Sequence, residues 1–435
     1  MIYLAYEALR RSTRPWAWMA EKGHKITRSE ANPLRNTLAM RMMATSFELQ
    51  DRALKDYGKP AYQIWENYED HDVVVDQHVV SSLPFGDLLR FNLETGTERP
   101  KVMIAAALSG HYGTLLQGTV RTFVQDFDTH ITDWRNCREV PPEAGDFGFD
   151  GYVTHLIKFL EDMGPGTHVV ATCQAAPPAM VATAVIAKEK PQLMPASLTL
   201  MGGPVDTRIA PSQMSELAGK LPMGWFENVN IQTIPSGFTG SGREVYPGFT
   251  QLAGFIALNP KPHLKQYMSF IKNSLKGDDE ALEKFRNFYD EYFAVLDMDK
   301  KFYLDTLEKV FFDHHIATGQ MEYEGELVDF ESVTGLPLLT VEGQNDHLCP
   351  PGQTVAAHDV FSGIDKELHQ NHLQPGVGHY GVFSGSKFQS EIYPVIRDFI
   401  WNAIDGKVHA KSKVTESKRK AKKVPDAVLS EDIPV

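Results

Sequence analysis

Residues 167–178, Thr-His-Val-Val-Ala-Thr-Cys-Gln-Ala-Ala-Pro-Pro, restrict the fold more than any other stretch. His168–Thr172 is a short apolar, β-rich run that reads as a buried strand. Pro177 and Pro178 cannot lie within a sheet, but proline suits the first turn of a helix, so a helix is expected to begin there and run through Met180–Lys188. Cys173 therefore falls on a tight strand-to-helix turn. Two positions to either side stand the small residues Ala171 and Ala175, as a turn that brings two backbones together requires. This is the layout of a nucleophile elbow, usually G-x-S-x-G, with Cys in place of Ser and Ala in place of both Gly. Such a turn presents the thiol outward and aims the backbone N–H of Gln174 at a carbonyl under attack. The competing reading is a buried structural cysteine, since Cys is among the most buried residue types. The pentapeptide alone does not separate the two.

Strands and helices alternate on both sides of the elbow. Residues 72–95 alternate like strands through Val73, Val75, Val79, Leu88, Phe91 and Leu93, with a turn at Pro84-Phe85-Gly86-Asp87. Val102–Leu108 is a continuous apolar run, as in a strand covered on both faces. It leads into Ser109-Gly110-His111-Tyr112-Gly113 and a helix over about 115–125. A strand at 129–133 ends in Asp133-Trp134-Arg135-Asn136. A helix at about 150–163 precedes the elbow, and Ser197–Met201 is a strand closed by Gly202-Gly203-Pro204. This rhythm predicts an α/β class with a mainly parallel sheet covered on both faces. It stops near 205 and returns with a strand at 337–341, a helix near 352–361, a strand at 367–373 and a helix at 388–404. Residues 206–330, with helical stretches at 280–293 and 303–312, read as a mostly helical cap inserted over the active edge of the sheet. The expected divisions are a helical extension at 1–70, core at 71–205, cap at 206–330, core again at 331–406 and a basic tail at 407–435.

The first 70 residues repeat apolar positions at helical spacing (Leu34, Leu38, Met42, Leu49) and carry Trp16, Trp18, Met19 and Phe47. They are read either as a helical wrap on the main domain or as amphipathic helices that adsorb to an apolar surface. The tail gathers eight Lys and Arg residues among small polar ones and is expected to be disordered. The net charge of −13 argues against general nucleic-acid binding. No apolar run is long enough for a transmembrane helix, and the N-terminal residues lack the pattern of a secretory signal. Three scattered cysteines (137, 173 and 349) give no disulfide framework and fit a reducing cytoplasm. No metal or cofactor motif is present.

Two further loops supply partners for the thiol. Asp346 lies in Gln344-Asn345-Asp346-His347-Leu348-Cys349 after the strand at 337–341, where open α/β sheets place their sites. His379 lies in Gly376-Val377-Gly378-His379-Tyr380-Gly381 after the strand at 367–373. Nucleophile, acid and histidine thus follow in α/β-hydrolase order. A free thiol has a pKa of roughly 8.5, so it needs a base at neutral pH. His379 would take the proton, and Asp346 would fix the tautomer and orientation of His379. The backbone N–H of His111 would join that of Gln174 as an oxyanion hole. His347, His372, Asp359 and Cys349 are the competitors. His347 adjoins Asp346 in sequence, His372 falls within the strand, and Cys349 is followed by Pro350-Pro351 with no strand-turn-helix around it.

Taken together, residues 108–122, 133–136, 171–178, 345–350 and 377–381 resemble the intracellular poly(3-hydroxybutyrate) depolymerases, also called intracellular polyhydroxyalkanoate depolymerases, over residues 1 to about 405. The resemblance implies an α/β-hydrolase fold and a cysteine nucleophile in a Cys-Asp-His triad, at Cys173, Asp346 and His379. It implies cleavage of stored polyester on cytoplasmic granules to 3-hydroxybutyrate and short oligomers. Polyester synthases share this fold and a Cys nucleophile, but they carry glycines where this elbow has Gln174-Ala175-Ala176. An acyltransferase and a non-catalytic granule protein are the alternatives.

Overall fold

The computed structural model describes residues 2–407 apart from 69–70, 93–97 and 259. Two helices come first, α1 (Ile2–Arg28) and α2 (Leu38–Leu54). The first half of the core follows: β1 (Gln77–Leu83), β2 (Gly86–Phe91), β3 (Lys101–Ala105), α3 (Gln117–Phe123), β4 (Asp128–Trp134), α4 (Phe149–Met163), β5 (His168–Thr172), α5 (Ala176–Glu189) and β6 (Ser197–Met201). After the interruption come β7 (Leu338–Gly343), a short α12 (Ala357–Val360), β8 (His369–Gln374) and α13 (Tyr393–Ile404). Between β6 and β7 lie α6 (Gln213–Ala218), α7 (Met223–Asn230), α8 (Gly248–Leu258), α9 (Pro260–Lys276), α10 (Asp279–Tyr292) and α11 (Lys300–Thr306).

The eight strands form one sheet in the order β8-β7-β6-β5-β3-β4-β2-β1. β1 and β2 pair antiparallel, as do β2 and β4, and every other pairing is parallel. Strand order reverses between β5 and β3, so the chains leaving their C-terminal ends diverge and open a crevice there. Cys173 follows β5 and His111 follows β3 at that point. Both faces are covered. Met103 and Ala105 of β3 pack with residues of α4 and α5, whereas Val102 and Ile104 pack with residues of α3 and α13. That two-sided burial explains why the central strands read as continuous apolar runs.

The structure departs from the sequence reading where side chains take over backbone partners. β3 stops at Ala105 rather than 108. The N–H of Ala106 instead donates to Thr132 Oγ1, and its carbonyl accepts from Trp134 Nε1 and Tyr152 Oη. The expected helix over 352–361 shrinks to Ala357–Val360. The N–H groups of Gly352, Thr354 and Val355 all point at Oε1 of the buried Glu342, and those of Ala357, His358 and Asp359 reach back three residues rather than four, as in successive turns. Helix 115–125 starts as a 3₁₀ turn at Gly113–Leu116. The last turns of 303–312 and the first of 388–404 are π-helical. Residues 55–64 are irregular and 65–68 form a strand, so the helical start ends at Leu54. Leu93 and the tail from 408 onward lie outside the described residues.

The helical start is bound to the segment between β6 and β7. Glu48 on α2 accepts both Nε and an Nη of Arg286 on α10, at 2.6 and 2.7 Å. Thr45 Oγ1 meets Ser274 Oγ at 2.6 Å, and Arg52 donates to Asp290. Ile2, Leu9, Trp16 and Trp18 of α1 are all exposed to solvent.

Candidate active site

Cys173 adopts φ +50°, in the left-handed region that a residue with a Cβ rarely enters. Such a conformation costs about 1–2 kcal/mol, so its surroundings must hold it. On one side, Thr172 Oγ1 donates to the carbonyl of Ala105 on β3. On the other, Cys173–Ala175 form a 3₁₀ turn that runs into α5, with its prolines in the first turn. Ala171 and Ala175 are fully buried, which explains the small flanks. Cys173 itself is only part-buried.

The three predicted residues meet. His379 Nε2 lies 3.2 Å from Cys173 Sγ, and His379 Nδ1 lies 2.7 Å from Asp346 Oδ2. The other oxygen of Asp346 accepts the N–H groups of Leu348 and Cys349, at 2.9 and 2.8 Å. That carboxylate is thereby locked by its own loop, and Glu342 ties the following turn as described above. Burial pulls the His379 imidazole toward neutrality. The charges of Asp346 and of the Cys173 sulfur, with hydrogen bonds to both, outweigh it and hold the ring well above the ordinary histidine range. A histidine so placed is a strong base within reach of the sulfur.

The competitors separate on geometry. Cys349 is buried, sits 3.6 Å from Thr354 Oγ1, and has its thiol pushed well up by burial. His372 bonds to Gln374 within β8, and Asp359 is exposed on α12. Burial lowers His347, and the pair that reaches His379 is Asp346.

His111 follows a Gly110 at φ +94°, and the Gly110 carbonyl accepts the N–H of Leu296 at 2.8 Å. Among the described residues, neither His111 nor Gln174 uses its backbone N–H in a turn, loop or cap hydrogen bond. Burial pushes the His111 imidazole down to about 4, so the ring is neutral and shapes the wall. The Asp133-Trp134-Arg135-Asn136 string buttresses this turn. Trp134 holds the Ala106 carbonyl, and Asn136 donates to Tyr112 Oη while accepting the N–H of Asp297. Two glycines that the sequence reading treated only as a strand end also belong here. A Cβ on Gly202, itself at φ +53°, would stand 3.5 Å from both Asp346 Oδ2 and His379 Cε1. One on Gly203 would stand 3.2 Å from the Cys173 carbonyl. A paired glycine after a strand was the available signal, but it is shared by many turns.

Cys173, Gln174, His111 and His379 all open into one cavity of about 780 Å³. Leu217, Trp225, Phe255, Phe288 and Leu307, all from the segment between β6 and β7, supply apolar wall, and Gln117, Arg121 and Glu291 supply polar groups. Among the described residues, no cluster of three or more His, Cys, Asp or Glu could hold a metal ion, and no helix is long and apolar enough to cross a membrane.

An eight-stranded sheet of this order, with an elbow after its fifth strand and acid and histidine loops after its seventh and eighth, is the α/β-hydrolase fold. Residues 202–404 match the family model described as PHB de-polymerase C-terminus, where PHB is poly(3-hydroxybutyrate). The poly(3-hydroxyalkanoate) polymerase subunit PhaC of Haloarcula marismortui is 23% identical over 147 residues, 34% of this chain and 30% of that protein. The corresponding subunit of Haloferax mediterranei matches at 23% over 147 residues, 34% of this chain and 28% of that protein. The chain thus spans less than a third of the length of these curated relatives. Among solved structures, a soluble variant of monoglyceride lipase from Saccharomyces cerevisiae, in complex with a substrate analog, aligns with a TM-score of 0.45 at 10% identity, over 79% of this chain and 96% of that one.

Proposed function

We propose that the protein is a thiol-dependent carboxylic ester hydrolase that degrades poly(3-hydroxybutyrate) to 3-hydroxybutyrate and short oligomers, at granules in the cytoplasm. The observation that carries this is the Cys173–His379–Asp346 relay opening into a largely apolar cavity. The depolymerase family model over 202–404 supports the polyester as substrate. Cys173 Sγ attacks the ester carbonyl carbon as its proton goes to His379 Nε2. The oxyanion is met by the N–H groups of Gln174 and His111. His379 gives the proton to the departing alkoxide oxygen, leaving an acyl thioester on Cys173. His379 then takes a proton from water, whose oxygen attacks the thioester. The acid leaves and the proton returns to sulfur. Asp346 keeps Nδ1 protonated throughout and steadies the imidazolium.

The exposed aromatic residues of α1, Trp16 and Trp18, give a means of adsorbing to an insoluble polyester. A second reading is favoured by the polymerase subunits among the relatives: an acyltransferase in which a growing chain end, not water, accepts the acyl group. The deciding experiment incubates wild type and Cys173→Ser with amorphous granules and measures free 3-hydroxybutyrate. Hydrolysis predicts release by wild type without coenzyme A, its loss in the variant, and inactivation by an alkylating agent whose label maps to Cys173. Polymer made from 3-hydroxybutyryl-coenzyme A would instead establish the transferase. Function untouched by Cys173→Ala would leave only a granule-coating role.

A further inference from the structure

Arg121 is a cavity-lining cation for which the described residues offer no carboxylate. It lies one helical turn after Gln117 on α3, so both occupy the same side of that helix, and both line the cavity. Its guanidinium stands 3.6 Å above the ring of Trp65, another lining residue. One terminal nitrogen donates to the Gln63 carbonyl at 2.7 Å, and Nε is buried without a partner. Arg52, Arg138, Arg243 and Arg286, by contrast, each face an acid: Asp290, Glu7, Asp299 and Glu48. Burial lowers the Arg121 pKa, and no acid raises it again.

A half-buried guanidinium without a counter-ion bears a desolvation cost that a bound anion would offset. Its planar fork matches a carboxylate in two-point geometry, and an aromatic platform beneath keeps that fork in place. Arg121 and the relay residues Cys173 and His379 line the same cavity. Thr119 Oγ1 on α3 donates to the Phe383 carbonyl at 2.6 Å, and Phe383, Ser384 and Gly385 line the cavity beside His379.

We infer that Arg121 on its Trp65 platform is an anion subsite that binds the free carboxylate end of a short hydroxyacyl oligomer and sets which ester along the chain reaches Cys173. The inference rests on the hydrolase reading above and adds polarity to it. Oligomers are engaged from the acid end, and a chain with that end capped gains nothing from Arg121.

The test compares the 3-hydroxybutyrate trimer as free acid with its methyl ester, and uses p-nitrophenyl butyrate as a substrate lacking both ends. A hydrogen-bonded charge pair is worth about 1.5–3 kcal/mol, so Arg121→Met should raise KM for the free acid by about 10–100-fold. The methyl ester and the nitrophenyl ester should stay within about twofold, and Arg121→Lys should fall between wild type and Arg121→Met for the acid alone. Equal changes for acid and methyl ester, or no change in either, would overturn the subsite and leave Arg121 as a strap on residues 63–65. Calorimetric titration of the free-acid trimer into Cys173→Ala, with and without Arg121→Lys, separates the two ideas. Arg121-dependent binding of a trimer that wild type does not cleave would sink the hydrolase reading while sustaining the subsite. Cleavage with no preference for acid over ester would do the reverse.

Discussion

A Cβ placed on Gly203 would stand 2.2 Å from the Cβ of Ala176, the first residue of the helix that follows the nucleophile turn. Neither atom can swing aside, because one belongs to α5 and the other to the chain leaving β6. Gly203→Ala must therefore move the turn that carries Cys173. Overpacking of this kind costs about 1–3 kcal/mol. Because the shift is applied at the proposed nucleophile, kcat on p-nitrophenyl butyrate should fall further than the loss of stability explains, at temperatures where the variant is still folded. Gly224→Ala is the matched control, since its Cβ would meet nothing within 4 Å and it lies in α7. It should leave activity alone and raise stability by up to about 1 kcal/mol.

Asp346→Asn keeps an oxygen for the N–H groups of Leu348 and Cys349 but removes the charge that faces His379. The fold should survive, as circular dichroism would verify. kcat should drop by about 10³–10⁴-fold, the usual size of effect when the triad acid loses its charge. The rate of Cys173 alkylation at pH 7 should fall as well, because a less basic His379 holds less thiolate beside it. Unchanged alkylation would mean that the thiol is activated by something other than this relay.

Glu291 sets a pH dependence of stability. It lies at the end of α10, accepts from Gln117 Nε2 at 2.9 Å and is almost fully buried. Burial raises its carboxyl to about 7; a nearby Thr114 hydroxyl opposes the shift and Asp290 adds to it. The folded chain thus holds a proton that the unfolded chain releases near its ordinary value of roughly 4.3. The stabilisation is complete below that lower value and is lost as pH rises to about 7, a change on the order of 3 kcal/mol. Glu291→Gln keeps the bond to Gln117 and cannot ionise. Urea unfolding at pH 5 and pH 8 should show a smaller drop in stability for the variant than for wild type. Parallel pH profiles would contradict this account.

The elbow turn and the alternation of strands and helices were legible because each is encoded locally, and Cys173, Asp346 and His379 could be singled out in the same way. A strand pattern, two prolines and small flanks define one turn, and the other two residues sit in loops just past predicted strands. What escaped were features in which distant side chains displace backbone partners. Nothing in Val102–Leu108 announces that Thr132, Trp134 and Tyr152 will end the strand at Ala105. Nothing in 352–361 shows that Glu342 will claim three of its N–H groups. Arg121 escaped for the opposite reason. The role proposed for it rests on a carboxylate missing among the described residues around it, and an absence in space has no signature along a chain.

The helical start offers a prediction that separates adsorption from catalysis. Truncating it would expose the face of α10 that Glu48 clamps through Arg286, and a lost granule association could then reflect a damaged cavity wall. Substitutions at exposed positions of α1 avoid this. Trp16 and Trp18 are 64% and 60% exposed and are not among the residues that line the cavity. Large aromatic surface left in water contributes to binding once an apolar face covers it, at about 25 cal/mol per Å². Replacing both with Ser should leave the melting temperature and kcat on p-nitrophenyl butyrate unchanged, while the fraction of protein that sediments with amorphous granules falls severalfold. If the double variant sediments like wild type, the polyester surface is engaged elsewhere, and the apolar positions of α9, Leu264 and Met268, become the next to substitute.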